Sequence, residues 1–245
     1  TVADPQHKAH GRHTFGEYVY NNDATVQSDG TKSAVCSLCG YVDTVAAEGT
    51  KLPSVEIQDT LEVFTDIKPD AWYKPYIDYA YSYGLLRGMT DTEFEPSTTL
   101  TRAMFVTVIA RMAGVDTDSY AQTSPFVDVE ARRYYTAAVA WAAQNGIVNG
   151  ISPTEFAPNS PVTREQMCAM IVRYAECKNI VLDQSISPVT FADENKISNY
   201  AKEYVKICQR AGFIDGMTPT TFEPKGNATR AQVAKIFSVF YDYID

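Results

Sequence analysis

Residues 94–102 read FEPSTTLTR, residues 156–164 read FAPNSPVTR and residues 222–230 read FEPKGNATR. The three phrases share a Phe, a Pro two residues on, and a closing Thr-Arg. Their arginines, Arg102, Arg164 and Arg230, are spaced by 62 and 66 residues. The surroundings keep the same offsets, with Gly84, Gly146 and Gly212 recurring in step with Gly88, Gly150 and Gly216. Upstream, Phe64-Thr65-Asp66 returns as Phe126-Val127-Asp128 and as Phe191-Ala192-Asp193, with one extra residue in the third copy. Recurrence at this period means one supersecondary unit used three times.

Each unit reads as helix, loop, helix. Tyr73, Tyr76, Ile77 and Ala80 fall at i, i+3, i+4 and i+7, as do Tyr135, Ala138, Val139 and Ala142, then Ala201, Tyr204, Val205 and Cys208. That spacing places one apolar stripe on a helix. Gly84, Gly146 and Gly212 follow where a helix ends on a left-handed residue. A second stripe runs through Phe105, Val108, Ile109 and Met112, and repeats as Met167, Met170, Ile171, Tyr174 and as Val233, Ile236, Phe237, Phe240. Thr101, Thr163 and Thr229 are suited to cap these second helices, and Gln166 and Gln232 can close a capping box that Met104 cannot. Between the helices, Leu85-Leu86, Ile147-Val148 and Phe213-Ile214 predict short extended plugs into the core. No unit buries enough alone, so the second helices are expected to share one core around Phe105, Ile109, Met167, Ile171, Val233 and Phe237.

Phe for packing, Pro against premature helix and Thr for capping account for most of the phrase. The arginine is left over. It takes the first helical position, where a positive charge opposes the helix dipole. Two uses stand open, a salt bridge to Asp66, Asp128 or Asp193, or a grip on a ligand, and they are compatible if the Asp holds the Arg in place.

The chain has 245 residues, 45% of them hydrophobic, and a net charge of −9. That charge argues against nucleic acid as a partner and against docking on an anionic bilayer. No apolar run reaches the ~18 residues of a membrane span. The chain begins at Thr1 without a leader, which reads as a fragment or mature product, and ends soon after the last helix, which reads as a natural C-terminus with any cargo upstream. An enzymatic reading finds little support. All three histidines lie in the first 13 residues, and Cys168 and Cys208 sit in apolar columns. No phosphate loop or Gly-x-Ser-x-Gly occurs, although paired carboxylates for glycoside hydrolysis stay open.

The ordered set of "GLLRG" at 84–88, Phe94 to Pro96 and "LTRAM" at 100–104, with "GIVNG" at 146–150, "VTREQ" at 162–166, "GFIDG" at 212–216 and "ATRAQ" at 228–232, resembles S-layer homology repeats of bacterial surface proteins. An aromatic follows each opening Asp: Trp72, Tyr134 and Tyr200. The likeness covers about 64–243. Met104, Gln166 and Gln232 replace the family's Glu, and Tyr134 and Tyr200 its Trp. The resemblance implies a mainly α fold, three helix-loop-helix repeats in a pseudo-threefold spindle with a shared helical core. It implies no enzyme in this chain, and no cofactor for the repeats. The implied setting is the extracellular cell wall of a Gram-positive bacterium, with surface anchoring through secondary cell-wall polysaccharide, typically pyruvylated. On that likeness Arg102, Arg164 and Arg230 would hold ligand carboxylates, with Asp66, Asp128 and Asp193 orienting them. A guanidinium fits a carboxylate with two parallel hydrogen bonds. Gly88, Gly150 and Gly216 would line the grooves, and Trp72, Tyr134 and Tyr200 would meet sugar faces. The alternatives are a module that assembles with neighbouring surface proteins in a lattice, and an accessory region of a cell-wall glycoside hydrolase.

The organisation expected is a small β-rich module at 1–50, a linker at 51–63, repeats at 64–114, 126–177 and 191–245, and linkers at 115–125 and 178–190. Residues 1–50 lack helical period and carry an Asp29-Gly30 turn signal, so they predict short β-hairpins. They resemble small modules of Gram-positive surface proteins in which a further Cys is expected where Val26 stands. Cys36 and Cys39 have zinc-knuckle spacing, and His7, His10 and His13 offer further ligands, with Cys36, Cys39, His10 and His13 the favoured set. A structural zinc would explain how so short a piece holds together. The other reading is a flexible stalk with an oxidisable cysteine pair.

Overall fold

A computed structural model describes residues 13–21, 28–50, 55–117, 120, 123–241 and 243. The chain divides between Val55 and Glu56 into two compact units. The first holds a three-stranded antiparallel meander of β1 (Val19–Tyr20), β2 (Thr31–Val35) and β3 (Val42–Ala46), in the order β1-β2-β3. Val19 faces Ser33, and Val35 faces Val42. The hairpin between β2 and β3 turns through Cys36–Tyr41; Asp29-Gly30 lies in the connection from β1 to β2, just before Thr31, and residues 22–27 of that connection lie outside the description. The apolar residues buried here are Ala34, Cys36 and Ala47, while Val19, Tyr20, Val35, Leu38 and Val42 are exposed.

The described residues of the second unit carry six α-helices: α1 (Lys74–Ser82), α2 (Arg102–Met112), α3 (Thr136–Gln144), α4 (Arg164–Lys178), α5 (Lys202–Arg210) and α6 (Arg230–Tyr241). They form three pairs in sequence, and the apolar stripes dictate how they pack. Phe105, Ile109, Met167, Ile171, Val233 and Phe237 are each no more than 2% exposed and belong to one cluster fed by all three repeats. The shared core expected from the second stripe is present.

The first helix of each repeat does not pack mainly on its own second helix. It lies against the second helix of the preceding repeat, α3 on α2, α5 on α4 and α1 on α6. The last of these closes the chain on itself, with the Tyr79 and Tyr83 rings 6.1 and 4.7 Å from Tyr241. At the centre the backbone repeats the cycle. The Leu100 N–H donates to the Ala228 carbonyl (3.0 Å), the Ala228 N–H to Val162 (3.3 Å), and the Val162 N–H to Leu100 (2.9 Å).

The caps follow the sequence. Thr101 accepts from the Met104 N–H, and Thr163 and Thr229 form reciprocal boxes with Gln166 and Gln232. Gly84, Gly146 and Gly212 take φ of +66°, +70° and +74° just past α1, α3 and α5, a conformation that a Cβ disfavours. The apolar pairs after them are buried as expected, but they are turns and not extended segments. Both Leu85 and Leu86 donate to the Ala80 carbonyl, so the chain folds back on the helix end. The second half of the 51–63 segment is fixed to the first repeat, with buried Thr60 donating its N–H and hydroxyl to Asp78 on α1 (3.1 and 2.6 Å).

Candidate functional site

The repeated phrase is the joint between repeats. Its Thr-Arg end enters under the Phe-x-Pro start of the next copy. Two of the free N–H groups at the start of α2 are satisfied from the second repeat, Arg102 by the Ser160 carbonyl (2.9 Å) and Ala103 by Pro158 (3.0 Å). Arg164 and Glu165 donate to Gly226 and Pro224 in the third, and Arg230 and Ala231 to Thr98 and Pro96 in the first.

The guanidiniums follow the same path. Arg102 Nε donates to the Phe156 carbonyl (2.8 Å), Arg164 Nε to Phe222 (2.9 Å) and Arg230 Nε to Phe94 (2.6 Å). Their Nη2 groups donate to the carbonyls of Asn149 (3.3 Å), Asp215 (2.6 Å) and Arg87. Each lies over the ring of that same Phe, at 4.5, 4.8 and 4.4 Å. These arginines are 3–4% exposed, and burial lowers the pKa of all three, of Arg230 to about 10. Partial negative charge on two carbonyls and a π face offsets the dipole conflict that the sequence raised.

Asp66, Asp128 and Asp193 need a correction as partners. Among the described ion pairs none joins them to the arginines. Each carboxylate accepts two successive backbone N–H groups of its own repeat: Phe94 and Glu95 (2.9 and 2.6 Å), Phe156 and Ala157 (2.8 and 2.6 Å), and Phe222 and Glu223 (both 2.8 Å). The second residue of each pair, Glu95, Ala157 or Glu223, is left-handed with φ of 57–58°, which costs about 1–2 kcal/mol outside glycine. The aspartate therefore holds a strained turn, and that turn presents the Phe carbonyl to the incoming Arg. Burial pushes Asp193 up, but the Phe222 and Glu223 N–H groups outweigh it and hold the carboxyl below its ordinary value.

Gly88, Gly150 and Gly216 are set by close packing. A Cβ on Gly150 would stand 2.2 Å from the Ser152 carbonyl oxygen, 2.3 Å from that of Glu155 and 2.9 Å from the Phe126 ring; Gly88 and Gly216 are equally tight.

Two clefts open at these joints. The first, about 500 Å³, is lined by Arg102 from repeat one, Asn149-Gly150-Ile151 and α4 from repeat two, and Ser198 and Tyr200 from repeat three. The second, about 200 Å³, brings Arg164 together with Gly216, Lys235 and Trp72, cycled by one repeat. At the third joint Arg230 reaches the Arg87 carbonyl beside Gly88. Both clefts thus draw on all three repeats. The aromatics stand outward, Trp72, Tyr134 and Tyr200 being 57%, 61% and 49% exposed.

The sets differ in ways the sequence reading missed. Glu165 stands where the other repeats have Ala103 and Ala231. It is buried, paired with Lys225, and bonded to Ser198 and Tyr200. Burial and Glu165 push the Tyr200 hydroxyl up to about 12. Each cleft also carries a second cation, Arg173 in the first and Lys235 in the second. A charge at a position that is otherwise Ala was the one visible signal for Glu165.

In the first unit, His13 Nδ1 lies 3.3 Å from Cys39 Sγ, and the ligand atoms of His13, Cys36 and Cys39 all fall within 4.8 Å of one another. His7 and His10 lie outside the described residues. Burial alone would raise the Cys36 thiol; hydrogen bonds from the Leu38 N–H, His13 and the Cys39 and Thr14 N–H groups bring it to about 6.

Comparison with known proteins places these features. The family model described as S-layer homology domain matches residues 63–104, 125–168 and 190–234. An amylopullulanase of Thermoanaerobacterium thermosulfurigenes is 33% identical over 217 residues, covering 89% of this chain and 11% of that protein. The exoglucanase XynX of Acetivibrio thermocellus is 36% identical over 71% of this chain and 16% of its own length. The surface-layer 125 kDa protein of Lysinibacillus sphaericus is 28% identical over 73% and 15%. The chain spans less than a fifth of the length of these relatives. No described helix is long and apolar enough to cross a membrane.

Proposed function

The chain belongs to the S-layer homology domain family, and from that premise we propose that it anchors the protein carrying it to the bacterial cell surface by holding a cell-wall polysaccharide in the clefts between its repeats. The observation that carries this reading is a pair of clefts that each bring together a buried Arg, a close-packed Gly turn and an outward aromatic from three repeats, with a third Arg joint of the same form. Nε and Nη2 of each arginine are committed to carbonyls, while Nη1 has no hydrogen-bond partner among the described residues. A carboxylate in the cleft, such as a pyruvate ketal on a sugar, would take that donor and a charge whose burial is already paid by the fold. The exposed Trp72, Tyr134 and Tyr200 offer apolar faces to a sugar ring. The relatives named as enzymes and as surface-layer proteins share only this segment of their length, which suits a part whose task is attachment and not catalysis.

The net charge of −9 does not oppose an acidic polymer. Screening at physiological salt acts over about 8 Å, so a cation at contact range outweighs distant carboxylates. More than one such cleft on one chain also suits a repeating polymer, since linked weak contacts multiply. The test is retention of the purified chain on cell walls before and after chemical removal of their secondary polysaccharide. Retention lost with the polysaccharide supports the reading. Equal retention on stripped walls overturns it in favour of protein–protein assembly or contact with another wall polymer.

A further inference from the structure

We propose that the first unit carries a structural zinc site whose protein ligands are His13 Nδ1, Cys36 Sγ and Cys39 Sγ. The inference is independent of polysaccharide binding. It starts from a deficit. Among the described residues of this unit, the buried apolar side chains are only Ala34, Cys36 and Ala47, and five large apolar side chains of the meander and its turn are exposed. A sheet of this size without a core needs a staple. No disulfide provides one, because all five cysteines are free thiols.

The three ligand atoms are gathered where such a staple would act, at the turn between β2 and β3. Tetrahedral zinc with two thiolates and an imidazole sets its ligand atoms about 3.6–3.8 Å apart, from bond lengths of about 2.3 and 2.1 Å. Here Cys39 Sγ and His13 Nδ1 are 3.3 Å apart, and no pair in the group exceeds 4.8 Å. The turn has the form such a site requires. The Gly40 N–H closes it onto the Cys36 carbonyl (2.9 Å), and Gly40 takes φ of +74°, which brings both sulfurs to one side. The imidazole is held between the rings of Phe15 and Tyr41, at 5.6 and 5.1 Å, and the strand leading from it pairs with the turn at Phe15 and Cys36. Two thiolates and an imidazole favour zinc over calcium or magnesium, which take oxygen. Three protein ligands leave the fourth position to solvent or a further donor.

The full chain, purified with a reductant and no chelator, should contain one zinc per molecule. Cobalt added to the metal-free chain should give the intense d–d and thiolate charge-transfer absorption of a tetrahedral sulfur-ligated site. The Cys36→Ser/Cys39→Ser variant should lose both signals. Chelation should speed amide exchange in Thr31–Val35 and Val42–Ala46 by more than about tenfold while leaving α2 and α4 unchanged. Absence of zinc and of cobalt binding in the reduced chain overturns the proposal. So does zinc held equally by the double Ser variant, since the metal would then sit on histidines alone.

Discussion

Replacing Arg164 with Ala gives the account its most quantitative prediction. The residue is 4% exposed, donates from Nε to the Phe222 carbonyl at 2.9 Å and from Nη2 to Asp215 at 2.6 Å, and lies 4.8 Å from the Phe222 ring. Each hydrogen bond to a charged group contributes about 1.5–3 kcal/mol, and the ring contact about 0.5–2. Against these stands the cost of desolvating the cation, seen in its lowered pKa, which the substitution removes. The cleft beside Arg164 also lets water reach the abandoned carbonyls. The net loss should be about 2–4 kcal/mol, or roughly 9 °C in melting temperature at the middle of that range for a unit of this size. Lysine keeps the charge but cannot serve two carbonyls and a ring face together, so Arg164→Lys should recover less than half. Thermal unfolding followed by circular dichroism reads both. A change below about 2 °C for Arg164→Ala would refute the joint as described. Binding by the folded fraction of the same variant separates the two roles, and undiminished wall binding would confine Arg164 to structure.

Three further outcomes are expected. Asp193 has a folded pKa held below its unfolded value near 3.9, so its contribution is present above about pH 4 and lost as pH falls through the lowered folded value; Asp193→Asn should flatten that acid limb in melts from pH 7 to 2.5, and an unchanged limb would contradict the assignment. Gly150→Ala forces backbone carbonyls at 2.2 and 2.3 Å to move, so it should cost about 1–3 kcal/mol in denaturant unfolding, and a neutral result would show that the turn yields freely. A chain ending at Thr229 lacks α6, the helix against which α1 packs; amide exchange in Lys74–Ser82 should rise although those residues lie about 150 positions upstream, and retained protection would contradict the cyclic closure.

The helices, their caps and the shared core were legible because local signals and tertiary demand agree. Apolar stripes at helical spacing, Thr with Gln three residues on, and Gly after the stripe each have one reading. The candidate site residues could be named from the repeated phrase, but how they combine could not be read. Arg102, Gly150 and Tyr200 come together only because each first helix packs on the preceding repeat, and nothing in a repeat's own sequence says which neighbour it meets. The aspartates were assigned to the wrong partner for a similar reason. Asp66, Asp128 and Asp193 look like counter-ions to buried arginines until Glu95, Ala157 and Glu223 prove left-handed, a strain that composition does not reveal. The sequence named His13 among the candidate partners of Cys36 and Cys39; what spacing alone did not show is the strand pairing through Phe15 that brings the three together.

The central claim is tested most directly by the affinity of purified secondary cell-wall polysaccharide for the chain and for a variant carrying Trp72→Ala, Tyr134→Ala and Tyr200→Ala. These three side chains are about half exposed or more, Trp72 and Tyr200 line the two clefts, and none of them takes part in the Arg–carbonyl joints, so they separate binding from folding better than the arginines can. Trp72→Ala and Tyr134→Ala should each change stability by about 0.5 kcal/mol or less, whereas Tyr200→Ala also removes a hydrogen bond to the buried Glu165 and should cost about 1–3 kcal/mol, so affinity is read on the folded fraction. The account predicts saturable binding by the parent chain and a loss of more than about tenfold, roughly 1.4 kcal/mol, in the folded variant. Equal affinity of parent and variant, or no binding by the parent, would contradict it.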